Sequence, residues 1–361
     1  MSGPVWNPRV YSGSIKRVEI RGIDYYLPEK ILSNQDLAAE FPDWSIEKIQ
    51  AKTGITDRHI AGPGQCSSDL AFAAARRLFA SGVCDPQELD FLLLCTQSPD
   101  YFLPTTACIL QDRLGMCTHA GALDYNLGCS GFIYGLGLAQ GLIQTGQANK
   151  VLLITAETYS KFINPQDKSV RTLFGDAAAA TLLAAAGETD APWTSAYVYG
   201  TDGKGAPNLM VPAGGMRQPP SPETAQAVSD DSGNRRSQDN LFMNGAEIFN
   251  FTLRAIPDCV GKLLARTGKI VEDIDLFVFH QANKFMLDHL RKKLKVPAEK
   301  FFIYMASCGN TVSSTIPIAL KQAEAEGKLR PGQLVMLVGF GVGYSWGATL
   351  VQWPFVGYST P

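Results

Sequence analysis

The chain has 361 residues, 45% of them hydrophobic and 18% charged, with a formal net charge of -2. That is enough apolar material for a large buried core, built as one big domain or as two fused halves, and the near-neutral balance gives no basis for nucleic acid as a general partner. The eight cysteines include no CxxC pair and no Cys/His ligand spacing, which argues against a disulfide scaffold and against a structural zinc site.

In chain order, the opening MSGPVWNPRVYSG lacks a charged region followed by an apolar run, so no secretory signal is visible. With reduced cysteines in apolar runs and no long uninterrupted apolar stretch, the expectation is a cytoplasmic, reducing location and no membrane span. Val18–Tyr26 reads as a strand. A polar helical region follows and ends near Lys52-Thr53-Gly54. Ser68–Ser81 has helical periodicity. Leu89–Cys95 and Val151–Thr155 are short continuous apolar runs, the mark of strands buried on both faces. In the second half Ile274–Phe279 and Leu334–Val338 look the same.

The halves share a spacing. Asp90 matches Asp275, Val151 matches Val335 and Cys129 matches Ser313, at offsets of 185, 184 and 184 residues. This predicts a duplicated α/β unit, 1–186 and 187–361, although short apolar strands also resemble one another by composition alone. Residues 213–240 break the pattern. They are polar, with Pro, Gly and Ser, and read as a surface excursion: a lid, an interface loop or a tolerated insert.

Four segments carry chemistry. In Leu123–Phe132 an extended run leads into Gly-Cys-Ser-Gly and then a long helix through about Gln147. Cys129 is thereby placed near a helix N-terminus, where free N–H groups favour the reactive thiolate; elsewhere a cysteine is more often an inert core residue. The helix repeats glycine at 131, 135, 137, 141 and 146. Glycine is a poor helix former, so its repetition predicts a central helix packed closely on its neighbours. A second buried run, Leu276–Phe279, ends in His280-Gln281-Ala282-Asn283. Strand ends in α/β sheets collect ligand chemistry, against the alternative of a satisfied core histidine. The third segment, Ser307–Ser314, holds Asn310, which the repeat places near Cys129; alone it would read as a turn with an Asn N-cap. The fourth, Gly339–Gly347, lies between two strand-like runs (Leu334–Val338 and Ala348–Trp353). It is no dinucleotide fingerprint, and its glycines would let backbone N–H groups approach a reacting carbonyl. Cys, His and Asn also describe papain-like proteases, whose CGSCW-like context is absent.

GCSGF, HQAN, GNT and GFGVGYSWG, in this order and spacing, resemble the β-ketoacyl-acyl-carrier-protein synthase III group of the thiolase superfamily, from about residue 17 onward. TGITDRHIA (Thr53–Ala61) and FGDAAAATLL (Phe174–Leu183) fit the same group. The resemblance implies a thiolase-like α/β fold of two pseudo-symmetric halves in five αβαβα layers. It implies that Cys129 accepts an acyl group from an acyl-CoA or acyl-carrier protein. His280 and Asn310 would then stabilise the enolate formed as a malonyl unit on a carrier protein loses CO₂. The backbone N–H groups of Cys129 and Val342 would bind the oxyanion, no metal or redox cofactor would be needed, and the enzyme would be a homodimer. Lys48, Lys52 and Lys168 stand where acetyl-CoA-primed members carry a Trp and Arg around the adenine. Leu103 stands where a Phe reaches across the dimer into the acyl pocket. These departures point to another acyl chain and lean toward a specialised pathway. Asn283 is placed with the substrate, and Lys284, Arg291 and Lys292 suit an acidic carrier protein or, equally, an ordinary solvated helix face. Acyl transfer to oxygen or nitrogen without decarboxylation, and a non-catalytic partner subunit, are the competing readings. Thiolase proper expects a second cysteine within 339–347, and there is none.

Overall fold

The computed structural model describes residues 15–41, 43–189 and 196–353. The opening segment read for a signal lies outside them.

Two five-stranded sheets organise the chain. The first contains β1 (Ile15–Tyr26), β2 (Phe91–Cys95), β3 (Gly121–Tyr125), β4 (Lys150–Glu157) and β5 (Ala177–Thr189), in the order β1-β5-β4-β2-β3. The second contains β6 (Tyr197–Thr201), β7 (Leu276–Phe279), β8 (Phe301–Phe302), β9 (Leu334–Gly341) and β10 (Ser345–Gln352), in the order β6-β10-β9-β7-β8. In each, three parallel strands are extended at one edge by two more, each paired antiparallel with its neighbour. The register repeats as well, with Phe91 opposite Val151 in the first sheet and Leu276 opposite Val335 in the second. Strand β5 runs to Thr189, past residue 186.

The apolar runs form strands because both faces are covered. Leu92, Leu94, Leu152, Leu153, Phe277, Val278, Val335 and Leu337 are wholly buried. Helices Ser67–Ala80 and Thr106–Arg113 cover the outer face of the first sheet. Gly245–Thr267 and Lys284–Lys293 cover the outer face of the second. Gly131–Gln144 and Thr315–Ala325 lie between the sheets, which completes the αβαβα stack. Each inner helix begins two residues after the matched pair Cys129 and Ser313.

The central helix is shorter than expected, ending at Gln144 with Gly146 in the left-handed region at φ +77°. Its early glycines explain the close packing: a Cβ at Gly131 would collide with Cys95 Sγ, and one at Gly135 with the Tyr125 hydroxyl. Gly141 has no such neighbour, so the packing argument holds for the first turns of the helix only. Within 213–240 a small hairpin pairs Val228–Ser229 with Arg235–Arg236. Arg236 joins Asp167 (3.3 Å) and Asp230 (2.6 Å), which ties the excursion to the segment before helix Lys168–Arg171. Among the described residues no helix is long and apolar enough to cross a membrane.

Candidate active site

Cys129 sits in the turn between β3 and the central helix and is 5% exposed. The Gly-rich connection between β9 and β10 closes over it. A Cβ on Gly341 would stand 2.9 Å from Cys129 Sγ, and one on Gly339 would stand 2.9 Å from the Cys129 carbonyl oxygen. Glycine is required here because backbone passes where a side chain would go. The backbone N–H groups of Cys129 and Val342 act on the sulfur and favour its charged form. Burial opposes them, with the Glu157 carboxyl adding to it, and together these push the thiol up to about 12. The thiolate expected from the helix start is therefore not the resting form: the helix begins two residues late, and desolvation outweighs the two amides.

His280 ends the buried strand β7. Burial lowers its imidazole to about 3, so the ring is neutral. Nδ1 lies 2.8 Å from Thr315 Oγ1, and that hydroxyl also has the Val312 carbonyl at 3.0 Å. Thr315 has one hydroxyl proton: given to Nδ1 it leaves Nε2 as the N–H that a thioester oxygen could accept, and given to the Val312 carbonyl it makes Nδ1 the donor and leaves Nε2 bare. Asn310 is fixed differently. Its Oδ1 accepts from the Val312 N–H at 3.0 Å, which leaves Nδ2 as its free-ranging donor, 3.4 Å from the Ala282 carbonyl. Val312 holds φ +55°, a left-handed conformation that costs a β-branched residue roughly 1–3 kcal/mol. That one residue faces both partners, its N–H toward Asn310 and its carbonyl toward Thr315 and His280.

Cys129, His280 and Asn310 line one cavity, whose remaining wall is mostly apolar and includes Phe174, Leu209, Met243 and Ile248. Asn283 lines it too, but its side chain caps helix Lys284–Lys293 by accepting from the Met286 N–H at 2.8 Å. The other expected contacts are not among the lining residues. Leu103 is 81% exposed beside Tyr101 and Phe102. Lys48 donates to the Asp43 carbonyl, Lys52 Nζ lies 5.2 Å from the Trp44 ring centroid, and Lys168 Nζ lies 5.9 Å from that of Phe41. Lys284 pairs with Asp288, Arg291 donates to the Val296 carbonyl, and Lys292 is exposed. Trp44 and Phe41 were invisible as lysine partners because nothing in their spacing marks them.

The Gly341 contact yields a direct expectation. Gly341→Ala inserts a methyl against Sγ, an overpacking of about 1–3 kcal/mol. Stopped-flow or quenched acylation of Cys129 should slow by roughly 10- to 100-fold, with the melting temperature lowered by a few degrees; wild-type acylation rates would contradict the contact.

Sequence reading also missed Glu157. It is fully buried at the end of β4 and accepts from the Gln97 N–H (3.0 Å), Ser313 Oγ (2.8 Å) and Ser98 Oγ (3.4 Å). Burial raises its carboxyl from 4.5 to about 8. The unfolded chain thus releases this proton first as pH rises, so stability falls between about 4.5 and 8, by about 1.4 kcal/mol per unit at most. Glu157→Gln cannot titrate. Its melting temperature should overtake that of the wild type progressively across this window, whereas parallel curves would show that Glu157 ionises normally.

Two doubled sheets around a pair of buried helices, with a cysteine in the turn before one of them, define the class as thiolase-fold α/β enzymes. Residues 123–203 match the family model described as 3-oxoacyl-[acyl-carrier-protein] synthase III, and residues 264–353 match the model of its C-terminal part. The chain is 39% identical to the β-ketoacyl-[acyl-carrier-protein] synthase III of Caldanaerobacter subterraneus, over 92% of this chain and 97% of that protein. A solved 3-oxoacyl-(acyl-carrier-protein) synthase III superposes with TM-score 0.91 at 55% identity, covering 93% of this chain and all of the other. A solved 3-oxoacyl-(acyl-carrier protein) synthase of Burkholderia xenovorans superposes with TM-score 0.86 at 37% identity, over 94% of this chain and 95% of the other. The chain belongs to the β-ketoacyl-[acyl-carrier-protein] synthase III family.

Proposed function

We propose that this chain is an acyltransferase that joins an acyl group to a malonyl unit by decarboxylative Claisen condensation. The observation that carries this reading is the convergence of Cys129, His280 and Asn310 on one buried, largely apolar cavity. Cys129 Sγ attacks the thioester of an acyl-CoA or acyl-carrier protein, and the donor leaves as a thiol carrying the proton from Cys129. The malonyl group, delivered on a carrier protein, then loses CO₂. Its electron pair becomes an enolate whose oxygen takes hydrogen bonds from His280 and Asn310. The enolate carbon attacks the acyl carbonyl, whose oxygen is held by the Cys129 and Val342 N–H groups. Collapse expels the Cys129 thiolate, which is reprotonated, and releases a β-ketoacyl thioester. In the tautomer with its proton on Nε2, the neutral His280 ring is a donor to that oxygen.

The finer assignments belong to the same proposal. The enzyme works in the cytoplasm as a homodimer, with Tyr101, Phe102 and Leu103 exposed together as the contact that would complete a neighbouring acyl pocket. Lys284, Arg291 and Lys292 meet the carrier or CoA phosphates, and Lys48, Lys52 and Lys168 face the donor. Residues 1–186 and 187–361 are copies of one unit, a reading supported by the matching strand order.

The test is intact-protein mass spectrometry with acyl thioesters from C2 to C10, followed by addition of malonyl-carrier protein. One acyl group on Cys129, then a product longer by a ketide unit with release of CO₂, is expected. An acylated protein whose product lacks the ketide unit would defeat condensation, and an acyl group found elsewhere would defeat the role of Cys129.

A further inference from the structure

Arg58 is the largest wholly buried side chain of the described residues, and its surroundings are unusual for a cation. Among those residues no carboxylate forms an ion pair with it. Every bond it makes goes to a neutral oxygen. Nε donates to the Thr172 carbonyl at 3.0 Å and Nη2 donates to the same oxygen. Nη1 donates to Asn34 Oδ1 at 2.6 Å and to the Thr56 carbonyl at 3.3 Å. Burial lowers the guanidinium to about 10, offset in part by Asp57, so it remains charged at neutral pH. A buried charge without a counter-charge is expensive, and a neutral side chain of similar volume would be the cheaper way to fill this space.

What the charge holds lies one step from the site. Thr172 and Leu173 form the turn that ends helix Lys168–Arg171, and Phe174 after them makes a parallel bridge with Asn310. The Asn310 N–H donates to the Leu173 carbonyl at 2.9 Å, and the Gly175 N–H donates to the Asn310 carbonyl at 3.1 Å. From the other side, the Arg58 stem and the Leu173 carbonyl press on Gly309, where a Cβ would stand 3.1 Å from Arg58 Cγ and 2.9 Å from the Leu173 oxygen. Gly309 has φ +74°, so its lack of a side chain serves both the turn and the contact. The strand carrying Arg58 also grips the start of this loop, because the Thr56 and Asp57 N–H groups both donate to the Ala306 carbonyl at 2.7 and 3.0 Å.

We infer that Arg58 is a positioning residue for Asn310: its guanidinium clamps the Thr172 carbonyl, and through the Leu173–Phe174 bridge fixes the backbone from which the Asn310 amide reaches the malonyl thioester. This rests on the function proposed above, in which Asn310 acts in the malonyl half of the reaction only. A clamp on Asn310 therefore predicts a split between the half-reactions. A residue that merely stabilises the fold predicts none.

The experiment compares wild type with Arg58→Lys and Arg58→Met, measuring acylation of Cys129 by mass spectrometry and CO₂ release from malonyl-carrier protein separately, with melting curves alongside. Acylation within about threefold of wild type and decarboxylation reduced by about 30-fold or more are expected, with Lys less impaired than Met. Equal losses in both half-reactions, or no loss in either, would overturn the inference. If Arg58→Met fails to fold, Gly309→Ala disturbs the same contact without touching the charge; it should show the same split, and an even loss there would likewise overturn it. Failure of wild type to form acyl-Cys129 would instead count against the proposed reaction and is read from the first arm alone.

Discussion

Cys129→Ala should leave a folded protein that carries no acyl group. The substitution removes one buried atom, at a stability cost of about 1 kcal/mol, and the amides of Cys129 and Val342 stay in place. Chemistry fails because no other thiol lines this cavity among the described residues. Cys95 is nearby, but its thiol donates to the Leu127 carbonyl and burial raises it well above the ordinary range. Loss should therefore reach at least about 10⁴-fold in acylation, as for removal of other covalent nucleophiles. Incubation with the preferred acyl thioester, digestion and mass spectrometry would check it. An acyl adduct on the variant would move the nucleophile elsewhere. In the wild type, acylation should quicken with rising pH, because burial holds the thiol at about 12 and the sulfur must shed its proton as it attacks.

His280→Ala should separate the two halves of the reaction. The ring touches the cavity, but nothing in the proposed acylation needs it, so acyl-Cys129 should form within a few-fold of the wild-type rate. Enolate stabilisation loses one preorganised donor, which is worth about 10²–10³-fold in turnover. CO₂ release from malonyl-carrier protein is the measurement, and an unchanged rate would remove His280 from the malonyl half. The truncation leaves the Thr315 hydroxyl with the Val312 carbonyl as its remaining partner, so the surroundings stay satisfied. Asn310→Ala is a less clean test. It also removes the acceptor for the Val312 N–H, freeing a strained residue to relax and to shift the His280 partner with it.

How much of this was legible depended on the kind of interaction. Leu89–Cys95 and Val151–Thr155 read as doubly buried strands, and they form β2 and β4 to within two residues at each end. The run before His280 and the strands around the Gly-rich connection were also visible. Strand β5 was not read as a strand, because Ala177–Ala180 are helix-favouring residues. They are strand here because β1 and β4 supply hydrogen bonds on both sides and the layers above and below leave room only for small side chains. The alternative of Asn310 as an N-cap does not hold, because the inner helix starts at Thr315 and the Asn310 side chain is used on the Val312 N–H instead. Residues 213–240 read as a loose excursion. Arg236 pins them to Asp167, which no local pattern connects to it.

By itself the sequence determined the buried strands and the three turns bearing Cys129, His280 and Asn310, because period, spacing and turn chemistry are local properties written along the chain. The tertiary structure decided what those residues are like. Burial made the Cys129 thiol and the His280 ring neutral. Glu157 was sealed beneath the nucleophile with its proton retained. Leu103 was left exposed with Tyr101 and Phe102, and Arg58 was set behind Asn310. Each of these depends on which distant segment excludes water or supplies a partner, and desolvation and long-range hydrogen bonds leave no periodic trace in a single chain.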